Sequence, residues 1–300
     1  MISFIMMAYN VENYIEEAIV ELQKENNIEW ELIIVEDFSD DNTFEIAKKI
    51  ADDDSKITLV KNISKGKVIG TNYGYTLTSG DIIKCIDSDD ILKKDFFKLY
   101  DEMQKYDAHC HSATIVNNNL QRISSYHVNP LIINKTYEYV ISNFISLPKW
   151  SWSFKRTIAD KVFPIPENLP FEDVWISIAV KYYAKSILNI KNELYLYRQH
   201  TSQTFGGILN YNINKVRFRA ERLLKYVVII EDEQKFLIKN ISYPFTYIKE
   251  YLLLQTSQAS IIKIVRSRLT IKDKIKLILI LHYPELATNI TKFKWYINKK

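Results

Sequence analysis

Over its first hundred residues the chain switches repeatedly between two hydrophobic periods, and that alternation limits the fold more than any other feature. Ile2 to Ala8, Glu31 to Val35, Ile57 to Val60 and Ile82 to Ile86 are apolar runs of strand length. Between them lie segments of helical period. Val11 to Lys24 puts Tyr14, Ala18 and Leu22 on one face, Asp41 to Ala51 is entered through the capping residues Ser39-Asp40-Asp41-Asn42, and Gly66 to Thr78 is the third. Strands that read as unbroken apolar runs are covered on both faces, so the pattern predicts an α/β fold built of βαβ units around a mostly parallel central sheet.

Such sheets bind ligands beyond the carboxyl ends of their strands. Polar clusters fall at those ends: Tyr9-Asn10 after the first run, Glu36-Asp37 after the second, and Asp87-Ser88-Asp89-Asp90 after the fourth. One crevice is therefore expected to gather them. Four of the six glycines lie between Gly66 and Gly80, where backbone must come close to something, and five of the seven prolines lie between Pro130 and Pro170, which marks irregular chain after the sheet. Glu193 to Tyr197 has strand character. Beyond about residue 210 the pattern is helical, as in Asn212 to Ile230 and Gln234 to Leu254.

Charge and cysteine use exclude several function classes. The net charge of +4 does not point to a nucleic-acid partner, and the two cysteines, Cys85 and Cys110, sit in apolar stretches that suit core packing in a reducing compartment. The apolar N-terminus lacks the basic flank of a signal peptide, and no apolar run reaches the roughly 18 residues needed to span a bilayer. A cytoplasmic protein is the expectation. The charge is unevenly placed, since residues 261–300 carry +8 and residues 1–260 carry −4. Ile261 to Leu281 mixes apolar and basic residues, with Ile261, Val265 and Leu269 at helical spacing. This tail is expected to form a peripheral helix on an anionic membrane, or else to dock on the catalytic domain or on a second copy in a homodimer.

Three sites carry candidate chemistry. Alternate carboxylates Asp87 and Asp89 at a strand end can converge on a hard divalent cation, although an acidic turn with Asp90 capping a helix has the same sequence. Glu172-Asp173 opens a helix whose apolar face is Ile176, Val180 and Tyr183, where acidic residues also complement the helix dipole. Trp150, Trp152 and Trp175 cluster beside Lys155-Arg156; indole faces can cover sugar rings, and core packing is the alternative for at least one.

The order Ala8-Tyr9-Asn10, Ile33-Ile34-Val35-Glu36-Asp37, Ser39 to Thr43, Asn72-Tyr73-Gly74, Gly80-Asp81 and Ile86 to Asp90, followed by Phe171-Glu172-Asp173 and Tyr197-Arg198-Gln199-His200, resembles glycosyltransferase family 2 with the GT-A fold, of bacterial surface-polysaccharide type. The resemblance covers roughly residues 1–205. It implies a catalytic domain over 1–205, with a nucleotide-sugar half (1–105) and an acceptor half (106–205), followed by a helical region over 206–300. It implies a uracil contact at Asp37, a nucleotide pocket lined by Ala8 and Tyr9, and a diphosphate contact at Lys67 or Lys65. Asp87, Ser88 and Asp89 would hold the ribose-diphosphate and Mn²⁺ or Mg²⁺, with His200 completing the metal site. Asp173 would be the catalytic base, with Glu172, Trp150 and Trp152 toward the acceptor.

The implied activity is inverting transfer from a nucleotide-sugar donor, a UDP-hexose or UDP-N-acetylhexosamine, to a glycan or lipid-linked acceptor. The alternatives are a non-catalytic glycan-binding or scaffold protein, and a pyrophosphorylase. The latter would need a glycine-rich loop after the first strand, where Ala8 to Val11 has none. The chain also departs from the family at Met6-Met7-Ala8, Glu36-Asp37-Phe38-Ser39 and Thr71, the last standing where an arginine is common.

Overall fold

The computed structural model describes residues 1–25, 27–199, 213–233 and 242–297. The chain divides into two compact units. One comprises Met1–Val140, Phe144–Glu167 and Glu172–Ser202, and the other Ile141–Asn143, Asn168–Phe171 and Gln203–Lys300.

The first unit is built on a nine-stranded sheet of β1 (Ile2–Ala8), β2 (Trp30–Glu36), β3 (Ile57–Lys61), β4 (Ile82–Asp87), β5 (Ile91–Leu92), β6 (Ala108–Val116), β7 (Arg122–Tyr126), β8 (Trp152–Lys155) and β9 (Ile187–Arg198). Its order is β3-β2-β1-β4-β8-β6-β9-β5, with β7 on β6. The expected runs all form strands, and β1 to β4 pair in parallel. Every residue of β1 is buried, as a strand covered on both faces requires. From β8 onward the pairing is mixed: β8 runs antiparallel to both β4 and β6, while β6 and β9 are parallel.

Helices α1 (Ile15–Gln23), α2 (Thr43–Asp53) and α3 (Lys67–Thr76) alternate with the first strands, and α4 (Tyr100–Met103), α5 (Leu131–Asn134), α6 (Tyr137–Ser142), α7 (Arg156–Val162) and α8 (Glu172–Tyr183) follow. The Asp41 carboxylate receives the Thr43 amide at 3.0 Å at the start of α2, one orphan donor of the first turn. Helix α3 lies close on the sheet because it presents glycine to it. A Cβ at Gly74 would stand 2.9 Å from Ile5 Cγ2 and 3.0 Å from Val35 Cγ2. Cys85 and Cys110 are free thiols in the core.

Register brings the carboxyl ends together. Ala8 pairs with Glu36, and Met7 with Asp87. The Asp37 amide donates to Ala8 O at 2.8 Å, so the polar residues after β1, β2 and β4 share one edge.

The second unit contains α9 (Ile213–Glu233), α10 (Ser242–Thr256), α11 (Ile261–Arg266), α12 (Ile271–His282) and α13 (Pro284–Ile297). The expected single helix over 261–281 is two. Thr270 stops it, because its hydroxyl accepts the Asp273 amide and caps α12, while Ser260 caps α11 in the same way. Leu269, in the connecting turn, is buried, whereas Ile261 and Val265 are exposed; the three do not share a face. No helix among the described residues is long and apolar enough to cross a membrane.

Candidate active site

Asp37 organises the loop after β3. Its Oδ1 accepts Asn62 Nδ2 at 2.7 Å and the Gly66 amide at 2.8 Å, fixing the loop that leads into α3. Gly66 has φ +147°, a conformation that L side chains rarely adopt, so the loop's path depends on glycine there. At the end of β1, Ala8 is buried and Tyr9 is exposed, with the Lys65 ammonium 4.7 Å from the centre of its ring. Asn72 is occupied elsewhere. Its side chain exchanges two hydrogen bonds with Ile165, 2.8 and 2.7 Å, and thereby ties α3 to the proline-rich segment.

The carboxyl end of β4 meets the start of α8 across two lysines. Lys67 Nζ lies 3.6 Å from Asp87 Oδ1 and 3.3 Å from Glu172 Oε1, and Lys149 Nζ lies 3.4 Å from each. Lys149 is 3% exposed, held in a 3₁₀ turn at Lys149–Ser151, and its backbone amide donates to Asp173 Oδ1 at 2.8 Å. Glu172 Oε2 is buried without a hydrogen-bond partner.

The lysines divide the three carboxylates electrostatically. Burial penalises all three charges, but the lysine ammoniums outweigh it at Asp87 and Glu172 and hold both below their ordinary range. At Asp173 burial and the neighbouring Glu172 charge prevail over the lysines, and its carboxyl is pushed up to about 6. Two adjacent carboxylates thus differ in basicity, and Asp173 is the one able to take a proton near neutrality.

Asp87 and Asp89 offer hard oxygen donors of the kind that Mg²⁺ and Mn²⁺ prefer. Among the described residues no group of three or more His, Cys, Asp or Glu side chains is placed to share an ion. Two carboxylates suit an open site whose remaining positions belong to a diphosphate and water. Ser88 is buried between them. His200 lies outside the described residues. Asp90 does not cap a helix: its Oδ1 receives the Arg198 amide at 2.7 Å, and Arg198 Nε donates to Asp89 O at 2.8 Å. Arg198 and the acidic turn are thereby held as one piece.

The tryptophans require a correction. Trp150, Trp152 and Trp175 are 2%, 0% and 4% exposed. Trp150 stacks on Tyr195 with centroids 4.8 Å apart, Trp152 Nε1 donates to Ser177 Oγ at 3.1 Å, and Trp175 Nε1 donates to Val162 O at 2.9 Å. All three indoles pack in the core, and those of Trp152 and Trp175 also spend their N–H groups there, so the cluster is not an open platform for a sugar. Arg156 also serves structure, for Nε donates to Gly80 O at 2.8 Å at the start of α7.

Sequence reasoning missed Lys149 and Lys84. Nothing marks Lys149, between Pro148 and Trp150, as part of the site. Lys84 did leave a signal, a single charge inside the buried run Ile82 to Ile86. Its ammonium bonds to His111 Nε2 at 2.7 Å and to the carbonyl oxygens of Trp150 and Trp152.

The family model for Glycosyl transferase family 2 matches residues 3–160. The UDP-Glc:alpha-D-GlcNAc-diphosphoundecaprenol beta-1,3-glucosyltransferase WfgD of Escherichia coli is 37% identical over 92 residues, 30% of this chain and 36% of that one. The chain spans between 35% and 39% of the length of four curated relatives that it matches. Among solved structures, residues 1–349 of Staphylococcus aureus TarS, in complex with UDP-GlcNAc, align with TM-score 0.59 at 16% identity, over 93% of this chain and 81% of that one. The mannosyltransferase PcManGT of Pyrobaculum calidifontis, in complex with GDP-Man and Mn²⁺, aligns with TM-score 0.55 at 17% identity, over 96% and 83%.

Proposed function

The chain belongs to glycosyltransferase family 2 and has the GT-A fold, and from that premise we propose that it is an inverting, divalent-cation-dependent transferase moving a hexose or N-acetylhexosamine from a UDP-sugar to a glycan or lipid-linked acceptor of a bacterial surface polysaccharide. The observation that carries this reading is the meeting of Asp87, at the end of β4, with Glu172 and Asp173, at the start of α8, around Lys67 and Lys149. A donor-side carboxylate and an acceptor-side base at one point are what a single displacement needs.

Asp37 and Tyr9 bind the nucleoside in this reading, with Asn62 and Gly66 keeping the Asp37 carboxylate in position. Lys67 stands where a diphosphate oxygen would replace one of its carboxylate partners. Asp87 and Asp89 would hold Mn²⁺ or Mg²⁺, which neutralises charge growing on the leaving diphosphate. Asp173 accepts the proton of the acceptor hydroxyl as that oxygen bonds to the anomeric carbon and the bond to UDP breaks. Glu172 stands beside Asp173 on the acceptor side in this reading, held by Lys67 and Lys149. The TarS and PcManGT complexes with nucleotide-sugars, and Mn²⁺ in the latter, support the donor class and the cation.

A donor panel with nucleoside diphosphate release as readout tests the proposal. UDP release from one UDP-sugar, abolished by EDTA and restored by Mn²⁺ or Mg²⁺, is expected. Unchanged release in EDTA defeats the cation assignment, and failure of every nucleotide-sugar to bind defeats the transferase reading.

A further inference from the structure

In the second unit, α11 and α12 bury narrow rows and leave several large side chains exposed. Ile264 of α11 and Leu277 and Ile280 of α12 face inward. Hydrogen bonds from Tyr247 OH to Asp273 Oδ2 (2.6 Å) and from the Arg268 amide to Glu250 Oε1 (3.1 Å) fix both helices to α10. Outward stand Ile262, Val265, Ile271 and Ile275, at 66%, 55%, 77% and 54% exposure. Four large aliphatic side chains so exposed within fourteen residues exceed the scattered exposure normal for a surface, and mark an interaction site.

Positive charge accompanies them. On α12 the apolar pair Ile271 and Ile275 runs beside the basic pair Lys272 and Lys276, and on α11 Ile262 and Val265 are interleaved with Lys263 and Arg266, all exposed. Among the described residues none of these four basic side chains forms an ion pair with a carboxylate. Lys263 and Arg266 also line a cavity of about 660 Å³ between α10 and α11, with Leu253, Ile262, Ser257 and a single acidic residue, Glu250.

A partner for this face must cover aliphatic groups and supply negative charge to a broad row of cations. We infer that α11 and α12 form an adhesion surface for an anionic lipid bilayer: Ile262, Val265, Ile271 and Ile275 enter the acyl boundary while Lys263, Arg266, Lys272 and Lys276 meet phosphate headgroups. Exposed aliphatic groups interleaved with lysine and arginine on both helices are the chemistry of the headgroup–acyl boundary, where apolar and charged groups are needed at nearly the same depth. A protein partner with its own carboxylates would need as many, in register.

Co-sedimentation of the full chain with vesicles tests this. Binding to phosphatidylcholine vesicles containing phosphatidylglycerol is expected, with little binding to pure phosphatidylcholine and a steep loss as salt rises. Each basic residue near an anionic surface is worth about fivefold in partitioning (about 1 kcal/mol), so Lys272→Glu with Lys276→Glu should weaken binding by more than about 25-fold. Ile271→Ser with Ile275→Ser should also release the protein, while Ile123→Ser, which removes an exposed aliphatic group from β7, should not. Circular dichroism and UDP-sugar binding unchanged from wild type show that each variant is folded. Equal binding to neutral and anionic vesicles, or anionic binding undiminished by either double variant, overturns the inference. A dimer in light scattering that Ile271→Ser with Ile275→Ser dissociates, without vesicle binding by wild type, assigns the face to a second copy and overturns it as well.

Discussion

The backbone amide of Lys149 donates to the carboxylate of Asp173 at 2.8 Å. The same residue sends its ammonium to Asp87 and Glu172, so a single buried side chain joins both sides of the site. Replacing Lys149 with Met keeps the amide bond and removes the cation. Two partly buried carboxylates are then left with Lys67 alone, and removing one partner of a buried ion pair costs up to about 3–5 kcal/mol, the upper bound here. Lys149→Met should show that loss in urea unfolding, together with an Asp173 that titrates higher; Lys149→Arg should recover much of the stability. A variant as stable as wild type contradicts the arrangement.

Asp173→Asn keeps shape and the Lys149 contact but cannot accept a proton. Turnover should fall by about 10² to 10⁴ while donor affinity is retained. Wild-type kcat should rise with pH through about 6, where the carboxyl loses its proton. Stability has the opposite sign at this group. The folded value, about 6, lies above the ordinary 3.8, so the folded chain holds a proton there that the unfolded chain has released. That stabilisation is complete below the lower value and is lost as pH rises through the upper one. Unfolding of wild type and Asp173→Asn across the window isolates it; parallel curves would show that Asp173 titrates normally.

Trp150 separates a core role from a binding role. Its ring lies between Tyr195 and Tyr126, with centroids 4.8 and 5.2 Å away. Trp150→Ala should cost about 3–5 kcal/mol of stability. Trp150→Phe, which keeps most of the packing, should leave acceptor KM close to wild type if the ring's role is the packing between Tyr195 and Tyr126. A large KM rise in a stable Trp150→Phe protein returns the residue to the acceptor site.

What the sequence made legible follows from local physics. The strands β1, β2 and β4 are mostly apolar and almost wholly buried, so their runs and the polar ends after them could be read directly. The split between α11 and α12 was also written there, as Thr270-Ile271-Lys272-Asp273, a helix-start signal inside an otherwise continuous pattern. Lys149 was not legible, because its role depends on the fold bringing residues 87, 149 and 172 to one point. The tryptophans misled for a related reason: an indole beside charged residues in sequence has the same pattern whether its neighbours in space are solvent or Tyr195 and Ser177.

Lys84 connects the sheet to the site and gives the last prediction. Its ammonium is fully buried and reaches three acceptors: the carbonyls of Trp150 and Trp152, which flank Ser151 beside Lys149, and His111 Nε2. The His111 Nδ1–H is directed to Ser112 O at 3.0 Å, consistent with a neutral ring whose burial holds its titration far below the ordinary range. Burial brings the Lys84 ammonium down to about 7 from 10.5. Between those values the unfolded chain keeps a proton that the folded chain has released, so stability at this group rises with pH across the window and is lowest below about 7. Lys84→Met removes the titration but leaves three buried acceptors without a donor, each worth about 1–3 kcal/mol. The variant should therefore be less stable than wild type, by a margin that widens from neutral pH toward pH 10 in urea unfolding. Because the freed carbonyls bracket the turn that carries Lys149, kcat should fall further than donor affinity. A margin independent of pH would mean that Lys84 does not change protonation on folding, and an unaltered kcat in the folded variant would mean that the turn is held without it.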